Sequence, residues 1–130
     1  MTSQFPPGYE LDKLNLAIDF DGVIHKYDKG WYDGTCYGDP IEGSLESLEL
    51  LSKKYKIIIF TSKAKTDRPL VNGKTGIELV TEWLKKYGVM DYVHSITSEK
   101  PRAFLYIDDN GYRFNNWVDT LDFMGENYGT

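Results

Sequence analysis

The stretch Leu14-Asn15-Leu16-Ala17-Ile18-Asp19-Phe20-Asp21-Gly22 decides the fold. Leu14 to Phe20 is mostly apolar, as in a strand buried on both faces of a parallel sheet. Asp21-Gly22 supplies the turn chemistry that ends it. Lys56 to Thr61 (KIIIFT) repeats the pattern, with β-branched residues that suit a strand. Tyr92 to Ile96 is a weaker third strand. Phe104 to Ile107 is a fourth, closed by Asp108-Asp109-Asn110-Gly111.

Helical spacing fills the gaps between these runs. Ser44 to Tyr55 sets Leu45, Leu48, Leu51 and Tyr55 on one face. Thr75-Gly76-Ile77-Glu78 fits a capping box, and Ile77, Val80, Leu84 and Tyr87 follow it to a stop at Gly88. The tail predicts a short helix over Trp117 to Met124. Residues 23–38, rich in glycine and aromatics, read as a small flap, with a hairpin of Val23 to Tyr27 and Trp31-Tyr32 around Asp28-Lys29-Gly30. Residues 62–73 read as a polar loop. Strands joined by helical crossovers imply an α/β fold with a doubly wound, mostly parallel sheet covered on both faces. The length, 130 residues, suits one domain with a short N-terminal extension over residues 1–10.

Composition narrows the function classes. A hydrophobic fraction of 41% with 27% charged residues argues against disorder. The longest uncharged apolar run, Ile57 to Phe60, is far too short to span a bilayer, and the start lacks the pattern of a secretory signal. The single cysteine, Cys36, excludes an intrachain disulfide and a cysteine-rich zinc site. The expectation is a cytoplasmic protein without a membrane partner. A net charge of −5 disfavours a stable nucleic-acid complex. The charge is uneven: residues 53–102 carry 11 basic and 5 acidic side chains, whereas residues 1–52 carry 3 and 10. A basic middle flanked by acidic thirds lets carboxylates and lysines meet wherever the strand ends converge.

In parallel sheets ligands bind beyond the carboxyl ends of the strands. Those ends hold Asp19 and Asp21, Thr61 and Ser62, Thr97 to Lys100, and Asp108 and Asp109. Two like charges at 4 Å repel by about 4 kcal/mol at an effective dielectric of about 20. A divalent cation with a lysine, Lys100 being the candidate, relieves the crowding, and all-oxygen ligation favours Mg²⁺. Carboxylates, a cation, a hydroxyl and an ammonium together make a phosphoryl-transfer site. In such a site the attacking aspartate stays ionised, while a second one carries a proton with a raised pKa.

Asp19-Phe20-Asp21-Gly22-Val23 resembles the first motif of the haloacid dehalogenase superfamily of phosphatases. Ile57 to Thr61 is similar to its second motif, Lys100 before Pro101 to its third, and Tyr106-Ile107-Asp108-Asp109 to its fourth. All four stand in family order across residues 14–109. The resemblance implies a Rossmann-like core and a Mg²⁺-dependent phosphomonoester hydrolase. Asp19 would be the nucleophile and a metal ligand. Asp21 would be the general acid/base, with its carbonyl on the metal. Thr61 would hold a phosphoryl oxygen, Lys100 would hold Asp19 and the phosphoryl group, and Asp108 and Asp109 would bind Mg²⁺. Gly22, Ser62, Lys63 and His25 are further candidates for substrate contact.

Only 42 positions separate Asp19 from Thr61, and 39 separate Thr61 from Lys100. Neither gap has room for a cap domain beside its helix. A capless site suits a nucleotide or a phosphorylated polynucleotide end, or takes its lid from a second copy in a homo-oligomer. The run Ser62-Lys63-Ala64-Lys65 departs from the arginine that many relatives carry after the second motif.

Plainer readings stand beside these. Lys63, Lys65, Arg68 and Lys74 make a basic loop, solvated or in contact with phosphate. Trp31, Tyr32 and Tyr37 either stack on a base or pack the flap. His25 and His94 lack metal-ligand spacing, and Trp83 and Trp117 fit core edges. Gly73-Lys74-Thr75 is not a P-loop, since Arg68 stands where a glycine is required. A receiver domain uses similar groups, but its acceptor aspartate follows its acidic pair. A non-catalytic phosphate-binding module is the remaining alternative.

Overall fold

The computed structural model describes residues 14–108 and 111–128. Their elements are β1 (Leu14–Asp19), α1 (Ser44–Ser52), β2 (Tyr55–Phe60), α2 (Gly76–Lys86), β3 (Val93–Thr97), β4 (Leu105–Asp108), β5 (Tyr112–Arg113) and α3 (Trp117–Tyr128). The strands form one sheet in the order β3-β2-β1-β4-β5, and every pairing is parallel. From β1 at the centre the described chain winds out through β2 to β3, then returns to the other side of β1 for β4 and β5. The α/β parallel reading therefore holds, and β1/β4 is the place where the winding reverses.

The boundaries follow from packing. Tyr55 closes the apolar face expected of the first helix, yet α1 ends at Ser52 and Tyr55 opens β2. The phenol ring is 2% exposed within the core, and pairing of Tyr55 with Leu14 in the sheet wins over one more helical turn. The capping box forms as expected: the Glu78 amide donates to Thr75 Oγ1 (3.2 Å) and the Thr75 amide to Glu78 Oε1 (3.0 Å). Gly88, at φ 74°, follows α2 in the left-handed conformation that favours glycine. Strand β5, two residues long, carries too little pattern to be read from sequence.

The core lies on one face of the sheet. Leu16, Ile18, Ile57, Ile59 and Ile107 meet Leu48 and Leu51 of α1, Val80, Trp83 and Leu84 of α2, and Trp117 and Met124 of α3. The alternate positions Ala17 and Ile58 are buried but lie outside that core. Phe60, Tyr106 and Asp108 share their face by strand alternation. Residues 98–104 cross this second face without a helix. The Tyr106 hydroxyl donates to the Pro101 carbonyl (2.5 Å), the Asn15 amide group to the Arg102 carbonyl (3.0 Å), and Lys100 lies over the Phe60 and Tyr106 rings. Among the described residues this second face is covered by a loop rather than by a helical crossover, seven residues being too few for a helix plus the span back to β4.

The flap is not the expected hairpin. Isolated bridges join His25 to Pro40 and to Asp21, and Lys26 donates to the Asp39 carbonyl (2.9 Å). The neck thus pairs residues 24–26 with 39–41. Two buried indoles fix its ends: Trp83 Nε1 donates to the Gly38 carbonyl (2.9 Å) and Trp117 Nε1 to the Val23 carbonyl (3.0 Å). Both tryptophans are core members rather than core edges. Residues 1–10, read as an N-terminal extension, lie outside the described residues. Among the described residues no helix is long and apolar enough to cross a membrane.

Candidate active site

Strand register brings the acids together. Ile18 pairs with Ile107, so Asp19 and Asp108 occupy the next position on each strand and face the same side. They flank the crevice where the winding reverses, the location at which open α/β sheets bind ligands. Asp108 is buried, 5% exposed at its side chain. Its Oδ2 accepts from Lys100 Nζ (2.8 Å) and its Oδ1 from the Gly111 amide (2.6 Å). That hydrogen bond to Asp108 holds the Lys100 ammonium above its ordinary pKa, and Asp19 adds to the effect. Lys100 is thus paired with Asp108 and lies within electrostatic range of Asp19. Asp109 lies outside the described residues.

Asp21 stands at the other side of the crevice, and its partners differ from those expected. Lys63 Nζ lies 3.0 Å from both carboxylate oxygens. His25 Nδ1 meets Oδ1 at 3.0 Å, and the Thr61 hydroxyl donates to Oδ2 at 3.3 Å. His25 Nε2 accepts the Gly38 amide (2.8 Å), which leaves the ring proton on Nδ1 to be donated to Asp21. Burial pushes the Asp21 carboxyl up, but His25 and Lys63 together outweigh it and hold the group below its usual value. The expectation of a raised pKa on this aspartate is therefore corrected: the His25 N–H and the Lys63 ammonium take the place of neighbouring acids.

Of the open readings for Lys63 and His25, the structure shows both side chains buried. Lys63 is 2% exposed rather than part of a solvated loop. It sits in a short 3₁₀ turn, Ser62–Ala64, capped by Thr61, whose Oγ1 accepts the Lys63 amide (3.2 Å). Its ammonium lies over the rings of Tyr27 (4.6 Å) and Trp31 (5.0 Å), contacts that stabilise a desolvated cation. Gly76 lets the start of α2 pack against the backbone of this turn, because a Cβ there would overlap the Lys63 carbonyl. His25 is fully buried, stacked on Phe20 at 5.1 Å, and acts as a bridge between Asp21 and the flap neck. Gly22, at φ 85°, makes the turn after Asp21, and its amide donates to the His25 carbonyl (2.8 Å). Ser62 is exposed and offers its carbonyl to Arg68 Nε (2.9 Å).

The basic loop therefore divides. Lys63 turns inward, Arg68 lies over the Trp31 ring (4.4 Å), and Lys74 pairs with Glu82 (2.6 Å) on the surface. The sequence signal for Lys63 was its place just after the end of β2, the same logic that singled out Lys100 near the end of β3. Arg68 had no such signal.

Among the described residues no group of three or more His, Cys, Asp or Glu side chains forms a metal cage. The donor chemistry nevertheless fits Mg²⁺, which is commonly held by one or two carboxylates with water and substrate phosphate completing the shell. Asp19 and Asp108 are the two carboxylates that would be available to such an ion. In comparisons with known proteins, no protein-family model, curated protein or solved structure matches the chain.

Proposed function

We propose that this chain is a Mg²⁺-dependent phosphomonoester hydrolase of the haloacid dehalogenase type, working through an aspartyl-phosphate on Asp19. The observation that carries the reading is the in-register placement of Asp19 and Asp108 at the reversal point, with Lys100 on Asp108. Mg²⁺ held by Asp19 and Asp108, with Asp109 and the Asp21 carbonyl as further ligands, would neutralise phosphoryl charge.

Asp19 supplies the attacking oxygen: its bond to phosphorus forms as the ester P–O bond breaks. Lys100 neutralises charge on the phosphoryl group, and the Thr61 hydroxyl, which donates to Asp21 Oδ2 in this structure, would turn its proton to a phosphoryl oxygen when substrate binds. Asp21 gives a proton to the leaving oxygen, then takes one back from the water that hydrolyses the aspartyl-phosphate. To deliver that proton Asp21 must first gain it, so its contact with Lys63 has to loosen when the phosphoryl group arrives. The flap and Lys63 thus belong to the catalytic cycle rather than to the scaffold alone.

A second reading rests on the same contact. An Asp21 held ionised by three partners suits a non-catalytic phosphate-binding module. The two readings part on one assay. Release of phosphate from p-nitrophenyl phosphate that stops with EDTA and with Asp19→Asn supports the hydrolase. Equilibrium binding of phosphoesters without any release supports the module.

A further inference from the structure

The flap tip carries an unusual residue. Tyr32 is 64% exposed, yet it holds a left-handed backbone at φ 51°. A bulky side chain is disfavoured there, and glycine or asparagine would serve the turn better. The ring meets Tyr37 edge to face at 5.6 Å, but burial does not offset the strain. The tip is also fixed in place: the Lys29 amide donates to Tyr37 Oη (2.9 Å), and that hydroxyl donates to the Gly30 carbonyl (2.8 Å). Strain held in a rigid, exposed turn points to a use for the side chain.

The surroundings of Tyr32 say what that use is. Trp31 beside it is 38% exposed. Lys29 Nζ lies 4.9 Å from the Tyr32 ring, and the Arg68 guanidinium lies 4.4 Å from the Trp31 ring. Arg68 is pinned by its Nε on the Ser62 carbonyl, so its terminal nitrogens form a pre-set fork suited to a phosphate. The nearby Asp33 carboxylate turns instead to the Thr35 amide (3.0 Å) and hydroxyl (2.6 Å). Lys63 is 3.0 Å from Asp21 and 5.0 Å from the Trp31 ring, which puts that ring within about 8 Å of the carboxylate.

We propose that the flap tip and Arg68 form a leaving-group subsite that takes a planar aromatic base on Tyr32 and a second phosphate on Arg68. Aromatic faces interleaved with cations are the physical basis of binding to single-stranded nucleic acid. The ligand is thus a nucleotide unit with two phosphates, either a free nucleoside 3′,5′-bisphosphate or the phosphorylated end of an oligonucleotide. The inference rests on the phosphatase reading for the orientation of the ligand, with its terminal phosphate at Asp19.

The test is calorimetric binding to the full chain carrying Asp19→Asn. Three probes are compared: glycerol phosphate, adenosine 3′,5′-bisphosphate and a 5′-phosphorylated dinucleotide. At least tenfold tighter binding of one or both ring-bearing probes is expected, and the better of the two identifies the source. Tyr32→Gly, in which glycine accepts φ 51° without strain, should remove that advantage while the chain stays folded in a thermal melt. Arg68→Gln should weaken the two-phosphate probes and leave adenosine 5′-monophosphate, titrated as a one-phosphate control beside the three probes, little changed. Equal affinity for all probes, or full affinity in Tyr32→Gly, overturns the proposal. Preferential binding with no turnover in the wild-type chain keeps this subsite and overturns the hydrolase, and turnover without preference does the reverse.

Discussion

The Lys63 ammonium lies 3.0 Å from each oxygen of Asp21, across 42 positions of sequence. Both groups are largely out of water, at 1% and 13% side-chain exposure. Removing one partner of such a pair leaves a buried charge uncompensated. Lys63→Met should cost about 3 kcal/mol in urea unfolding. Adding Asp21→Asn should recover part of that loss, since the pair then disappears together. A loss below about 1 kcal/mol for Lys63→Met would mean that His25 and Thr61 suffice to hold Asp21.

Two glycines give opposite tests of backbone and space. Gly76→Ala forces a Cβ into the Lys63 carbonyl and should destabilise by about 2 kcal/mol or more, although alanine is the better helix former. Gly88→Ala meets no atom within 4 Å and should cost only about 1 kcal/mol, from its left-handed backbone. Thermal melts of the two variants check the order.

The capping box sets a pH dependence. The Thr75 amide and hydroxyl hold the Glu78 carboxyl below its ordinary value. A lowered folded-state pKa adds stability above the unfolded value, near pH 4.5, and that stability is lost as pH falls through the folded value. Glu78→Gln should therefore lower Tm at pH 7 and have little effect near pH 3. Thr75→Ala should cost about 1 kcal/mol at neutral pH.

Metal titration tests the acid pair. If Asp108 is a Mg²⁺ ligand, Asp108→Asn should raise the Mg²⁺ concentration for half-maximal phosphate release by about tenfold to a hundredfold. Glu126→Gln, on the far helix, should leave it unchanged. An unshifted Mg²⁺ requirement in Asp108→Asn would remove this residue from the metal site.

How far the residues could be read in advance depended on range. The strands β1 and β2 were legible because burial on both sides requires unbroken apolar runs, and Thr75-x-x-Glu78 carried its cap within four positions. The flap misled because Asp28-Lys29-Gly30 has the chemistry of a turn, while the pairing that counts joins residue 25 to residue 40. The loop, rather than helix, on the second face was foreshadowed only by the shortness of residues 98–104. Asp19, Asp108 and Lys100 were found by their place at strand ends. The burial of Lys63 and His25 was not, since it depends on Tyr27, Trp31 and Gly38 closing over them from a loop without periodicity.

The two indole N–H groups that grip the Val23 and Gly38 carbonyls come from different helices. Moored at both feet, the intervening loop cannot swing away like a door; only its outer arc is at liberty to vary. On the phosphatase proposed above, a different leaving group would then be accommodated by exchanging that arc, residue by residue, while the sheet beneath stays as it is.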